Sequence, residues 1–132
     1  VEGVYEMKKI IFYVTILIFL NSTSVFADVL YCSEDDATGF SLKNNYKRMI
    51  YTQERFQVKI DWQNKSMISD KIYLINVKCD YNSISSTLYC MSRYGTTFAV
   101  NKKTLKFHKS SMFLESNSTD DIILSHGKCE KF

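Results

Sequence analysis

The chain has 132 residues, of which 45% are hydrophobic and 23% charged, with 17 Lys and Arg against 14 Asp and Glu, four Cys and no Pro. This length suits one domain, and the near-average composition excludes an intrinsically disordered chain and a polytopic membrane protein. The formal net charge of +3 is small for a nucleic-acid-binding surface, so no nucleic-acid partner is expected.

The first segment of the chain has the pattern of a secretory signal peptide. Lys8 and Lys9 precede the apolar residues 10–20, polar residues follow, and the small residue Ala27 ends the segment. This apolar run is too short to span a bilayer, which needs about 20 residues, so no transmembrane anchor is expected. We expect residues 1–27 to be a signal peptide whose natural start is Met7, and residues 28–132 to be a single exported domain.

The exported part is predicted to contain about eight β-strands. The clearest strand covers residues 54–62, because Phe56, Val58 and Ile60 alternate with polar residues, as in a half-buried strand. The other predicted strands are residues 29–32, 46–51, 72–79, 88–92, 96–100, 105–113 and 121–125. Predicted turns rich in Gly, Asn, Asp and Ser lie at 35–39, 63–65, 81–83, 93–95, 101–103 and 116–118.

The fold class predicted from this spacing is all-β. Strands about ten residues apart with short connections indicate antiparallel neighbours, and therefore a small meander barrel or a sandwich. A short helix fits residues 41–46 or 52–56. Large aromatic side chains on the apolar faces are expected to form the core, namely Phe56, Trp62, Phe98, Phe107 and Phe113.

Four cysteines remain after the predicted cleavage, and an even number in a short exported chain favours two disulfides. Structural zinc sites bring ligands in pairs two to four residues apart, whereas Cys32, Cys79, Cys90 and Cys129 are 47, 11 and 39 positions apart. Three pairings are open. We favour Cys79 with Cys90 across a hairpin and Cys32 with Cys129 between the first strand and the last segment.

Several segments resemble a group of small exported bacterial proteins from marine sequences. They are the Tyr31-Cys32 opening, the Gly39-Phe40 pair, the stretch from Gly95 to Phe107 and the C-terminal Gly127-Lys128-Cys129-Glu130-Lys131-Phe132. This resemblance implies export and two disulfides, and it brings no catalytic or ligand-binding residue. A weaker resemblance is to periplasmic lysozyme inhibitors built on eight-stranded barrels, from which this chain departs in its net positive charge.

No catalytic site, metal site or cofactor is predicted. His108 alternates with core residues and is expected to be a solvated strand residue, while His126 precedes Gly127 in an expected turn. A Gly-x-Ser-x-Gly nucleophile motif and a phosphate-binding glycine loop are both absent from the sequence. The adjacent carboxylates at 35–36 and 120–121 are expected to be solvated turn residues.

Two groups of residues are candidates for a ligand surface. Lys102, Lys103, Lys106 and Lys109 concentrate positive charge around one predicted hairpin, which would attract an anionic glycan. Tyr89 and Tyr94, together with Met91, would form an apolar patch if they are exposed on one face.

The sequence therefore predicts a non-enzymatic binding or interaction protein of the bacterial envelope, located in the periplasm or secreted. Its expected partner is an anionic glycan or an envelope protein. The alternative is a periplasmic inhibitor of a hydrolase such as lysozyme, in which the loop 80–87 would enter the active-site cleft.

Overall fold

A computed structural model describes residues 27–71, 74–75, 77–112 and 121–132. The strands are β1 (Asp28–Ser41), β2 (Lys47–Ile50), β3 (Arg55–Asp61), β4 (Ser66–Ser69), β5 (Lys78–Asn82), β6 (Thr87–Met91), β7 (Thr96–Asn101), β8 (Lys106–Met112) and β9 (Asp121–Lys131), with one 3-10 turn at Leu42–Asn44. The predicted signal peptide, apart from Ala27, lies outside the described residues, as do Phe113 and the predicted turn at 116–118.

The all-β prediction is confirmed, and the sheet forms a nearly closed antiparallel barrel of eight strands. Their order is β4-β3-β1-β9-β8-β7-β6-β5, and the short β2 pairs with β1 outside this path. Strands β5 to β9 form the expected meander, whereas β1 lies between β3 and β9. The terminal strands of the path, β4 and β5, contact each other, so that the barrel is almost closed.

The predicted turn at 35–39 is wrong, because β1 continues through it. The pairing of β1 with β9 shifts register between Glu34 and Asp36, which marks a β-bulge that bends the strand without ending it. Before the bulge β1 pairs with β3, and after it with β2. A Cβ added at Gly39 would collide with the carbonyl oxygen of Ile122, so this glycine permits close backbone approach inside a strand.

Strands β4 and β5 differ from the strands predicted for the middle of the chain. Strand β5 begins at Lys78 and extends to Asn82, whereas a strand was expected at 72–79 and a turn at 81–83. Residues 72, 73 and 76 lie outside the described part of the chain. Strand β4 was not predicted, because its four residues are too short for an alternation signal.

Three hairpin turns share one local design. Asp61, Asn82 and Asn101 end β3, β5 and β7, and each side-chain oxygen accepts backbone N–H bonds from the residues two and three positions later, at 2.9 to 3.1 Å. At Asp61, the bonds to its own carboxylate lower the pKa of that group, and the backbone N–H of Asn64 is the main cause. Four positions after each of them stands a residue with positive φ, namely Lys65, Ser86 and Leu105.

The barrel interior is an apolar core that includes both disulfides. Phe56, Phe98 and Phe107 are buried and pack ring against ring, with centroids 5.3 to 5.9 Å apart. Trp62 is only partly buried and packs against this core. Both favoured disulfides are confirmed, since Cys32 with Cys129 and Cys79 with Cys90 are bridged and directly opposite in their strand pairs.

Candidate functional site

The outer surface of the barrel is concave across strands β6 to β9, where a groove of about 800 Å³ opens. We call this surface the outer groove. The side chains that face it from these four strands are Tyr89, Met91, Thr97, Ala99, His108, Ser110, Leu124 and His126, and residues of β1 and β5 form its rim.

The strand registers explain why the surface is concave. One row across the strands is Met91, Thr97, Ser110 and Leu124, and the next is Tyr89, Ala99, His108 and His126. The small side chains of Thr97, Ala99 and Ser110 therefore form the floor, between larger side chains from β6 and β9 and that of His108 on β8. The hydroxyls of Thr97 and Ser110 hydrogen-bond to each other, so the floor presents little unsatisfied polarity.

The walls of the outer groove are apolar and exposed to solvent. Tyr89 and Met91 on β6 are 49% and 60% exposed, and Leu124 on β9 is 53% exposed. Phe40 and Met112 extend the same face, because both are partners of Ile122 in their strand pairs and both are exposed. Exposed apolar side chains gathered on one face mark interaction sites more often than isolated ones do.

Two histidines lie together in the outer groove. His108 and His126 are directly opposite each other on β8 and β9, with ring centroids 6.4 Å apart and both residues exposed. His108 is the exposed strand residue that was predicted. The prediction of a turn at His126 is wrong, because β9 continues to Lys131 in pairing with β1 and β8.

Lys109 does not belong to an exposed surface, which corrects its predicted place among the ligand-binding lysines. It points into the barrel with 7% exposure, and its Nζ lies 2.7 Å from Glu34 Oε1 and 3.0 Å from Glu54 Oε2. Glu34 also accepts hydrogen bonds from the Ser125 hydroxyl at 2.6 Å and the Glu54 N–H at 2.8 Å. This buried charged cluster fixes the bulge of β1 against β8 and β9.

The other predicted lysines lie around the turn that joins β7 and β8, and they do not line the outer groove. Lys102 stacks on Trp62, with Nζ 5.5 Å from the ring centroid, while Lys103 and Lys106 are exposed. Lys106 is directly opposite Lys128 on β9, and in the described residues neither forms an ion pair. The structure therefore places a small basic cluster here, one outward-facing row along β8 and β9 from the two histidines.

Of the two predicted tyrosines, only Tyr89 lines the outer groove. Tyr89 lines the outer groove, whereas Tyr94 lies in the turn before β7 and is not among the groove-lining residues. Tyr94 precedes β7, whereas Lys102 and Lys103 follow it. At the usual rise per residue, the two ends of this strand are about 20 Å apart. The residues of the predicted ligand surface are thus divided among the outer groove, the turn before β7, the β7–β8 turn and, for Lys109, the barrel interior.

Asp28, the first residue of β1, links this strand to the end of β9. Its carboxylate lies 2.8 Å from Lys131 Nζ and accepts a hydrogen bond from the Trp62 indole N–H at 2.7 Å. The bond to Lys131 is the main cause of the lowered pKa of Asp28, and the Trp62 bond adds to it against partial desolvation. The folded state therefore retains the charged form of Asp28 at lower pH than the unfolded chain does.

Asp28→Asn is expected to lower the free energy of unfolding at neutral pH by up to about 1 kcal/mol, since the pair is partly exposed. The stabilisation by Asp28 is present above its ordinary pKa of 3.8 and is lost as the pH falls through the lowered folded-state value. Urea unfolding of both proteins from neutral to acidic pH checks this. A difference between them that does not shrink on acidification would contradict the assignment.

The described residues contain no group of three or more His, Cys, Asp or Glu arranged to hold a metal ion. Neither histidine is hydrogen-bonded to a carboxylate within the ranges the structure covers. In those same ranges, no helix has the length and apolar character needed to cross a membrane.

Comparison with protein-family models, curated proteins and solved structures finds no match for this chain.

Proposed function

We propose that this domain is a non-catalytic binding protein of the bacterial envelope, and that it recognises a protein partner through the outer groove. The observation that carries this proposal is the gathering of Tyr89, Met91 and Leu124 on one concave face of a disulfide-linked barrel. A rigid scaffold loses little conformational entropy on binding, so such a surface favours a specific complex.

The charges around the outer groove favour a protein segment over an anionic glycan. Its floor consists of Thr97, Ala99 and Ser110, and the charged residues Asp36, Lys78 and Asp80 lie at its rim on β1 and β5. An occupant that contacts the walls needs apolar side chains, which a polyanionic sugar lacks. The exposed Lys103 and Lys106 are not among the residues that line the outer groove.

Export to the periplasm or the extracellular medium is part of the same proposal. Two disulfides in a short chain are consistent with an oxidising compartment, because thiols in the cytosol are kept reduced. The sequence pattern of residues 8–27 supports the same location.

Leu124→Glu and Met91→Lys, each placing a charge on one wall, are expected to weaken partner binding by tenfold or more, the size usual for a central interface residue. Proteins that bind the immobilised wild-type protein are captured from a bacterial envelope extract. The affinity of each purified partner for the wild type and for the two variants is then measured. Binding should persist in high salt, because screening weakens exposed charge pairs and leaves apolar contacts intact.

Ile68→Lys is the matched control, because Ile68 is an exposed aliphatic residue on β4 outside the outer groove. This variant should retain wild-type affinity. The proposal fails if both groove variants bind the captured partner as tightly as the wild type does, or if binding disappears in high salt.

The β5–β6 hairpin favours the second candidate, a hydrolase inhibitor. The Cys79–Cys90 disulfide crosses this hairpin, and Ile84 in its turn is 97% exposed. Backbone oxygens of Ser85 and Ser86 accept hydrogen bonds from Asn101 and Lys102, which holds the turn in place. An Ile84→Ser variant that loses a captured hydrolase, while Leu124→Glu retains it, would favour this function over the first.

A further inference from the structure

We propose that His108 and His126 form a binding site for one divalent transition-metal ion, with Cu²⁺ as its tightest ligand. The site is a cross-strand pair of imidazoles on β8 and β9. Both side chains line the outer groove, and the ion requires only these two imidazoles and solvent, not the proposed partner.

The geometry of the pair suits a shared ion. Residues directly opposite in an antiparallel pair have Cβ atoms about 4.5–5.5 Å apart, so both imidazoles start from neighbouring positions on one face. Metal–nitrogen distances of about 2.0–2.1 Å place the centroids of two rings on one ion about 5–6 Å apart. The observed centroid separation is 6.4 Å, and both side chains are exposed, so small side-chain rotations bring the nitrogens to one ion.

Exposed charges of both signs surround this pair. Asp36 is the register partner of His126 on the other side of β9, and it is exposed at the groove rim. Lys109, the nearest basic residue along β8, points into the barrel and is paired with Glu34 and Glu54. On the outward face, Lys106 and Lys128 form the next row along β8 and β9, and both are exposed. The Asp36 carboxylate on β1 therefore offsets part of this positive charge beside the pair.

The chain offers few competing sites of the same chemistry. His108 and His126 are its two histidines, and all four cysteines are in disulfides. Imidazole nitrogens bind first-row divalent ions in the order Cu²⁺ above Ni²⁺ and Zn²⁺. Two protein ligands leave coordination positions for water, so the ion would be held as an exposed, exchangeable one.

The test is calorimetric titration of the oxidised wild-type protein with CuCl₂, NiCl₂ and ZnCl₂ in a weakly coordinating buffer at neutral pH. We expect saturation at one Cu²⁺ per chain and weaker binding of the other two ions. His108→Gln and His126→Gln should each weaken Cu²⁺ binding by about tenfold or more, a loss of the size seen for metal-site variants.

The double variant His108→Gln with His126→Gln contains no histidine and is the matched control, and its fold is checked by circular dichroism and intact disulfides. Electron paramagnetic resonance of bound Cu²⁺ should show coupling to two imidazole nitrogens in the wild type and to one in each single variant. Equal Cu²⁺ affinity of the folded double variant and the wild type would overturn the proposal, as would the lack of saturable Cu²⁺ binding by the wild type.

Discussion

Lys109→Ala is expected to lower the free energy of unfolding by about 3–5 kcal/mol, the cost of leaving a buried charge without its partner. Glu34 is 4% exposed and would keep its carboxylate inside the barrel, 2.7 Å from the position that the Lys109 ammonium now occupies. Lys109 also lies over the ring of Phe56, with Nζ 5.1 Å from the centroid, so its removal loosens the core as well. Urea unfolding measures the loss.

Lys106→Ala is the matched control, because Lys106 is on the same strand with its side chain exposed, and its loss should change stability by about 0.5 kcal/mol or less. The double variant Lys109→Met with Glu34→Gln should recover part of the stability, since a neutral pair removes the unpaired charge. A loss below about 1 kcal/mol for Lys109→Ala would contradict the role given to this buried cluster.

Removing the disulfide between β1 and β9 should destabilise the barrel more than removing the hairpin disulfide. Cys32 and Cys129 are 97 positions apart and Cys79 and Cys90 are 11 apart, so the first bridge restricts the unfolded chain more. In the chain-entropy model the expected losses are about 4–5 and about 3 kcal/mol. Alanine is the replacement of choice, because serine would bury a hydroxyl at these sites.

Urea unfolding of the two double-alanine variants under oxidising conditions provides the comparison. If the hairpin variant is as unstable as the β1–β9 variant, or less stable, the larger stabilisation expected from the bridge between β1 and β9 is contradicted.

Local chemistry made part of the fold predictable from the sequence. The alternation of Phe56, Val58 and Ile60 predicts β3 because that strand has one buried and one solvated face. The turn after β7 is predictable because Asn101 makes its own side-chain bonds to the backbone that follows. In each case the determinants are neighbours in the chain.

The features that the sequence did not predict depend on contacts between distant parts of the chain. Asp35 and Asp36 look like turn residues, yet β1 continues past them because β9 pairs with it on both sides of the bulge. Lys109 looks like a surface residue, and its burial depends on Glu34, which is 75 positions earlier in the sequence, and on Glu54. Strand alternation places Lys109 on the same face as Phe107, but no signal within β8 identifies the carboxylates that pair with it.

The candidate site was predictable only in part for the same reason. Tyr89 and Met91 occupy the outward positions of β6, so their exposure follows from strand alternation. Their placement across the outer groove from Leu124 depends on the small residues of β7 and β8 and on the registers of three strand pairs. The pairing of His108 with His126 has the same origin, since only the β8–β9 register brings them together.

The outer groove as a binding surface is tested most directly by mapping amide chemical-shift changes in the isotope-labelled protein as a captured partner is added. The proposed function predicts the largest changes at Tyr89, Met91, Ala99 and Leu124. Changes confined to the turn around Ile84, or to the basic cluster of Lys103, Lys106 and Lys128, with the groove residues unaffected, would contradict it.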